Sequence, residues 1–306
     1  MALGIGDDCA ILRLPAGQET LITTDFSLEG IHFRRDWQSP ECIGHRCLAR
    51  GLSDIAAMGG NPVAAFLSLA LPNKLPQRWV DEFLAGLLKL ARRHGVQLAG
   101  GDTSQSLVGV LADITVVGSV KRRQALRRSS AKVGDLIYVT GALGESGAAL
   151  HRLVGGTIKK LNVFPNPRIA VGDWLARKRI ATSAIDISDG LSTDLVHICQ
   201  ESGVGAVIDA QAIPIHASAK DLKERLRTPA LSLELALHGG EDYELLFTAP
   251  KSKQVPGRIA GVRITKIGQV IRERKMYLFQ SGKKRTLEPR GWEHFQPQPH
   301  SSSNRD

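Results

Sequence analysis

Aromatic residues make up only 5% of the 306-residue chain, and cysteine occurs four times. So few aromatics speak against the base-stacking platforms that single-stranded nucleic acids require. Cys9, Cys42, Cys47 and Cys199 form no Cys-x-x-Cys pair, so neither a zinc site nor a disulfide framework is expected, and buried free thiols are. No apolar run approaches the roughly 20 residues that span a bilayer. Met1 leads straight into Gly4-Ile5-Gly6-Asp7, without a charged and then apolar leader. Walker A, G-x-S-x-G and H-E-x-x-H motifs are absent as well. A cytoplasmic location is the expectation, with neither nucleic acid nor membrane as partner.

What is present is ordinary in bulk and unusual in arrangement. Hydrophobic residues at 42% and charged residues at 23% are globular values, and the length suits two domains. The net charge is +10, which favours small polyanions. Yet acids fill the glycine-rich segments: Gly4-Ile5-Gly6-Asp7-Asp8, Ser53-Asp54, Gly100-Gly101-Asp102, Asp186-Ile187-Ser188-Asp189-Gly190 and Gly239-Gly240-Glu241-Asp242. Thr23-Thr24-Asp25 adds hydroxyls beside a further carboxylate. Asp disfavours strand and helix interiors, and glycine beside it implies tight turns. Several hard oxygen ligands on such turns point to Mg²⁺ and phosphate chemistry.

The periodicities predict alternating strands and helices, hence an α/β class. Leu21 to Asp25 reads as a strand with Leu21, Thr23 and Asp25 on one face. Ser39-Pro40 starts a helix that stops at Gly59-Gly60. A second helix runs from Arg78 to His94, and a short strand, Val96 to Ala99, feeds the Gly100-Gly101-Asp102 turn. The polar segment Arg127 to Lys132 places a boundary between domains 1–130 and 131–295, with a disordered tail at 296–306.

Each motif has a plain structural reading beside the functional one. Adjacent Asp7 and Asp8 repel, which a cation relieves, though a hairpin turn also accounts for them. Asp54 falls on the apolar side of its helix, seven residues after Cys47. It needs either a metal or a partner such as Arg50, one turn earlier. Asp102 is a metal ligand or an N-cap. Asp186, Ser188 and Asp189 converge on a cation and a phosphate, or cap the helix from Leu191. Gly141 to Gly147 sits between strand and helix, where phosphate loops lie, or is only a connection. His32 alone is an ordinary structural histidine.

In order and spacing these segments resemble the thiamine-monophosphate kinase family over roughly residues 3 to 296. Glu29-Gly30-Ile31-His32-Phe33 and Gly239-Gly240-Glu241-Asp242-Tyr243-Glu244-Leu245 carry the resemblance to that branch of the aminoimidazole ribonucleotide synthetase-like group. The resemblance implies a two-domain α/β (α+β) fold, with mixed sheets flanked by helices, and a homodimer pairing through its N-terminal sheets. It implies ATP as co-substrate, several Mg²⁺ ions and thiamine monophosphate as acceptor. Asp8, Thr23, Thr24, Asp25, Asp54, Asp102, Asp186 and Asp189 then correspond to metal ligands. Gly101, Asp102, Arg128 and Ser188 correspond to nucleotide contacts, and His32, Glu241 and Trp292 to substrate contacts. The chain departs from the family in carrying three residues before Gly4 where a longer segment is usual, and in Phe26-Ser27 after Asp25.

A phosphate acceptor is largely dianionic at neutral pH, its second pKa being about 6. No general base is therefore expected. Trp292 is expected to stack on a cationic thiazolium, and Glu241 to complement its charge. Another acceptor within the same group, or a non-catalytic nucleotide-binding regulator, are the alternatives.

Overall fold

Residues Leu21, Thr23 and Asp25 are half-buried while Ile22, Thr24 and Phe26 between them are exposed, and this alternation makes Gln18–Leu28 the first strand, β1. In the computed structural model, which describes residues 2–5 and 9–292, β1 leads to α1 (Pro40–Ala57), β2 (Asn61–Pro72), α2 (Gln77–Arg93), β3 (Gln97–Ser106) and β4 (Leu111–Lys121). The four strands form one sheet in the order β1-β4-β2-β3, antiparallel except between β2 and β3.

A single 3-10 turn, Arg128–Ser130, leads into the second half. Its elements are β5 (Leu136–Thr140), α3 (Glu145–Val154), α4 (Ile169–Arg177), β6 (Ser183–Asp186), α5 (Leu191–Ser202), β7 (Gly205–Asp209), α6 (Ala217–Leu226), α7 (Leu231–His238), β8 (Leu245–Ala249), β9 (Arg258–Ile259), β10 (Val262–Ile271), β11 (Met276–Gln280) and β12 (Lys283–Thr286). These strands form a mixed sheet in the order β12-β11-β7-β10-β5-β8-β6, with β9 paired to β10.

Helix α1 starts as expected: the Ser39 side chain accepts from the Cys42 amide and Pro40 follows. It is buried nearly all round because it lies between the two sheets. Ile43, Leu48, Leu52 and Ile55 share one core with Phe83 and Leu87 of α2, Ile114 and Val116 of β4, Leu175 of α4, and Tyr138 and Phe247 of the second sheet. Each fully buried side chain of this kind stabilises by about 1.5–3 kcal/mol. Gly44 and Gly86 let α1 and α2 touch; a Cβ on either would strike the other helix's backbone at Phe83 or Glu41. A second core packs Leu191 and Leu195 of α5 and Leu237 of α7 under Ile185, Leu246 and Ile208.

Two expectations need correction. Gly100-Gly101-Asp102 is not a turn but the interior of β3, paired in parallel with Phe66, Leu67 and Ser68. The glycine serves close approach: Gly101 has φ +145°, and its backbone lies against Leu67 where no Cβ fits. Cys42, Cys47 and Cys199 are buried free thiols as expected, but Cys9 is exposed. No helix among the described residues is long and apolar enough to cross a membrane. The 296–306 segment lies outside the described residues.

Candidate active site

A cleft of about 1660 Å³ is lined from both halves of the molecule. Three carboxylates from three elements stand in its wall. Asp25 comes from the inner face of β1, Asp54 from α1, and Asp186 from the C-terminal end of β6, where α/β folds place ligands. The Thr23 hydroxyl donates to Asp54 Oδ2, whereas Arg50, the alternative partner, turns to Glu241 instead. Burial, and then the charge of Asp54, push the Asp25 carboxyl up to about 7 against the pull of Arg50. Burial and the same Asp54 charge take Asp186 to about 7 as well. Asp54 is itself raised by burial, opposed by the Thr23 hydroxyl and by Arg128.

Asp25 Oδ2 and Asp186 Oδ2 are both buried without a hydrogen-bond partner. Such orphaned oxygens are costly, and more so where like charges face each other. A hard divalent cation satisfies them and cancels the repulsion, so this donor set fits Mg²⁺. Asp189 lines the same cleft, three residues further on. Its loop is shaped by Asp194, a residue the motif reading passed over. Asp194 Oδ2 accepts the amides of Ser188, Asp189 and Gly190, each at 3.1 Å. The sequence signal for it was an acid in the first turn of α5.

His32, Glu241 and Trp292 line the same cleft. The Glu241 and Trp292 segments dock on the carboxylate loop by backbone bonds: Glu241 N–H to Ser188 O at 2.7 Å, Tyr243 N–H to Ile187 O at 2.9 Å, and Trp292 N–H to Asp189 O at 3.0 Å. Glu241 and Tyr243 take φ of +64° and +51°, a left-handed backbone state uncommon for non-glycine residues. His32 Nδ1 accepts the Leu28 amide at 3.0 Å, which in the neutral ring leaves the proton on Nε2. Arg46 and Arg50 of α1 each donate to Glu241 at 2.6 Å. Burial would raise Glu241, but the two guanidiniums outweigh it and hold the carboxyl below its usual range.

The Gly141–Gly147 loop has a structural use. Asp242 accepts the Gly144 amide at 2.6 Å and the Ser146 amide at 3.3 Å, so the first turn of α3 already has its anion. The Ser146 hydroxyl then donates to Glu241 O at 2.8 Å, which fixes the neighbouring turn.

The remaining expected residues are spread out. Ser188 lines the cleft. Thr24 reaches it round the edge of β1, with its hydroxyl on Asp113 at 2.8 Å. Asp113 was not anticipated, and its charge adds to the rise at Asp25. Arg128 lies outside the cleft wall but near enough to lower both Asp54 and Asp186. Gly101 and Asp102 are exposed on β3, at the opposite edge of the sheet from β1. Asp8 lies outside the described residues.

Known proteins are similar to this chain in sequence and fold. Residues 6–120 match the model of the AIR synthase related protein N-terminal domain, and residues 132–280 that of the C-terminal domain. Thiamine-monophosphate kinase of Escherichia coli O157:H7 is 40% identical, over 96% of this chain and 92% of its own length. The chain belongs to the thiamine-monophosphate kinase family. The family member of Bacillus subtilis strain 168 is 34% identical over 96% of this chain and 93% of its own. The crystal structure of the family member from Stenotrophomonas maltophilia K279a superposes with a TM-score of 0.81 at 34% identity, covering 92% of this chain and 91% of that one. The AaThiL complex with AMPPCP and TMP gives 0.81 at 32% identity, covering 92% and 89%. Hydrogenase maturation protein HypE in complex with ATP shares the thiamine-monophosphate kinase fold at a TM-score of 0.78 and 19% identity.

Proposed function

We propose that this chain is an ATP-dependent kinase that converts thiamine monophosphate to thiamine diphosphate by direct, in-line phosphoryl transfer. The observation that carries the reading is one cleft lined both by the carboxylate cluster and by His32, Glu241 and Trp292. It is supported by relatives named thiamine-monophosphate kinase and by a similar structure holding AMPPCP and TMP.

The barrier such a cleft must lower is electrostatic. Unit charges about 4 Å apart repel by about 4 kcal/mol at an effective dielectric near 20. Mg²⁺, when bound, would screen the two phosphate groups and hold them in line. Asp25, Asp54, Asp186 and Asp189 would hold the ions, with Thr23, Thr24, Asp8 and Asp102 as further ligands. Arg128 and Ser188, with Gly101, would contact the nucleotide. The dianionic acceptor needs no base, so the remaining residues orient it. His32 offers an Nε2 donor, Glu241 an acceptor and Trp292 an aromatic face.

Gly101 and Asp102 complete that set only if a second copy supplies them. The outward side of the N-terminal sheet offers the contact, through exposed Ile22 and Phe26 on β1. A homodimer pairing through this sheet is therefore part of the proposal, with domains 1–130 and 131–295 and a cytoplasmic location.

Two assays test it. Side-by-side incubation of ATP and Mg²⁺ with thiamine, thiamine monophosphate and aminoimidazole ribonucleotide precursors should give turnover with the monophosphate alone. Turnover with another acceptor and not with it would move the chain to a different activity. Labelled phosphate retained on the protein from γ-labelled ATP, before acceptor is added, would rule out direct transfer.

A further inference from the structure

Arg46 and Arg50 have no part in the reading above, and their geometry gives them one. They stand one turn apart on α1 and grip one carboxylate from two sides. Arg46 Nη2 meets Glu241 Oε2, and Arg50 Nη2 meets Oε1, each at 2.6 Å. The second terminal nitrogen of each is anchored elsewhere. Arg46 Nη1 donates to Val163 O at 3.0 Å, and Arg50 Nη1 to Phe26 O at 3.2 Å. Phe26 directly follows Asp25 on β1. The arginine side chains are 3% and 13% exposed, whereas Glu241 is 33% exposed and faces the cleft. Both arginine Nε atoms are buried without a hydrogen-bond partner, and both side chains border the cleft behind Glu241. These guanidiniums are placed to hold Glu241 rather than to hold a ligand.

We propose that Arg46 and Arg50 are positioning residues for the acceptor, acting through Glu241. This rests on the reading of Glu241 as an acceptor contact. A carboxylate on a flexible stem samples several rotamers, and two anchored donors leave it one. The Glu241 backbone is fixed separately on Ser188, so main chain and side chain are both set before any ligand arrives. Through Phe26, Arg50 also ties Glu241 to the strand that carries Asp25. The pair changes what Glu241 offers. Two guanidiniums against one carboxylate leave one net positive charge here, so Glu241 acts as a directional hydrogen-bond acceptor and not as a counter-ion. That suits a ligand with an anionic phosphate, and it leaves a cationic ring to Trp292.

The test is steady-state kinetics with ATP and thiamine monophosphate on Glu241→Ala, Arg50→Ala, Arg50→Lys and the double variant Glu241→Ala/Arg50→Ala, with melting curves alongside. At saturating Mg²⁺, which offsets the loss of the Arg50 charge beside Asp25, Arg50→Ala should raise the acceptor KM about tenfold or more while the ATP KM stays within about twofold. Arg50→Lys should recover only part of the loss, because the planar fork is gone. If Arg50→Ala does not fold, Arg50→Lys gives the same readout. In the Glu241→Ala background, Arg50→Ala should add less than about twofold, since its action runs through the missing carboxylate. An equal cost in both backgrounds, or equal rises in both KM values, overturns the proposal. A Glu241→Ala variant with unchanged acceptor KM fails differently, by removing the underlying reading of Glu241.

Discussion

The Asp25 carboxyl on β1 is pushed up to about 7 by burial and by the charge of Asp54 on α1. Nearby, Asp186 is raised to about 7 by burial and by the same Asp54. Three gathered carboxylates with two unpartnered oxygens form a donor set that fits a divalent cation.

That relationship fixes the sign of a pH effect. Both groups have folded values above the unfolded one, so protonation favours the metal-free fold. Their contribution is fully present below about pH 4 and is lost as pH rises through about 7. The melting midpoint in chelator should therefore fall across that window, and saturating Mg²⁺ should remove the fall. The Mg²⁺ concentration giving half-maximal rate should drop as pH rises from about 6 to about 8, because the ligands must shed protons first. Thermal melts and Mg²⁺ titrations at several pH values check both.

Asp25→Asn and Asp54→Asn should each abolish turnover, yet stay folded without metal. Replacing one of two repelling carboxylates relieves strain, so the metal-free midpoint of Asp25→Asn should rise by about 2 °C. Rates near wild type for both variants would remove these residues from the metal set.

Trp292→Ala should raise the acceptor KM by about twofold to thirtyfold, the range of a cation–π contact, with the ATP KM unchanged. The ring is 44% exposed at the cleft, and its backbone stays pinned to Asp189, so little stability should be lost. A matching rise with ATP, or a fall in melting temperature alone, would make Trp292 a pin for the C-terminal segment.

Ile22→Glu tests the second copy. Ile22 is 69% exposed on β1, so the change should cost the single chain within about 0.5 kcal/mol. It should nonetheless shift the molecular mass in solution to that of a monomer and lower turnover, because Asp102 then has no partner cleft to enter. Light scattering with a parallel rate assay reads both effects.

Local patterns carried much of this into the sequence. Alternation put Asp25 on the inner face of β1, and Ser39-Pro40 started α1, because both depend on neighbours in the chain. Non-local pairing hid the rest. Gly100-Gly101-Asp102 reads as a turn until β2 is known to run beside it with a register shift at Ala65. The hold of Arg46 and Arg50 on Glu241 spans more than 190 residues, and no spacing rule announces it. The amides of the Gly141–Gly147 loop looked available for phosphate because Asp242, their partner, lies on another segment. The carboxylates were legible as chemistry; which of them meet in one chain was not.

The most direct measurement is turnover of the full chain with ATP, Mg²⁺ and thiamine monophosphate, followed by separation of the thiamine phosphates. Thiamine diphosphate should accumulate in step with ADP, and chelator should stop both. A folded chain that binds nucleotide in the same buffer but forms no thiamine diphosphate would contradict the account.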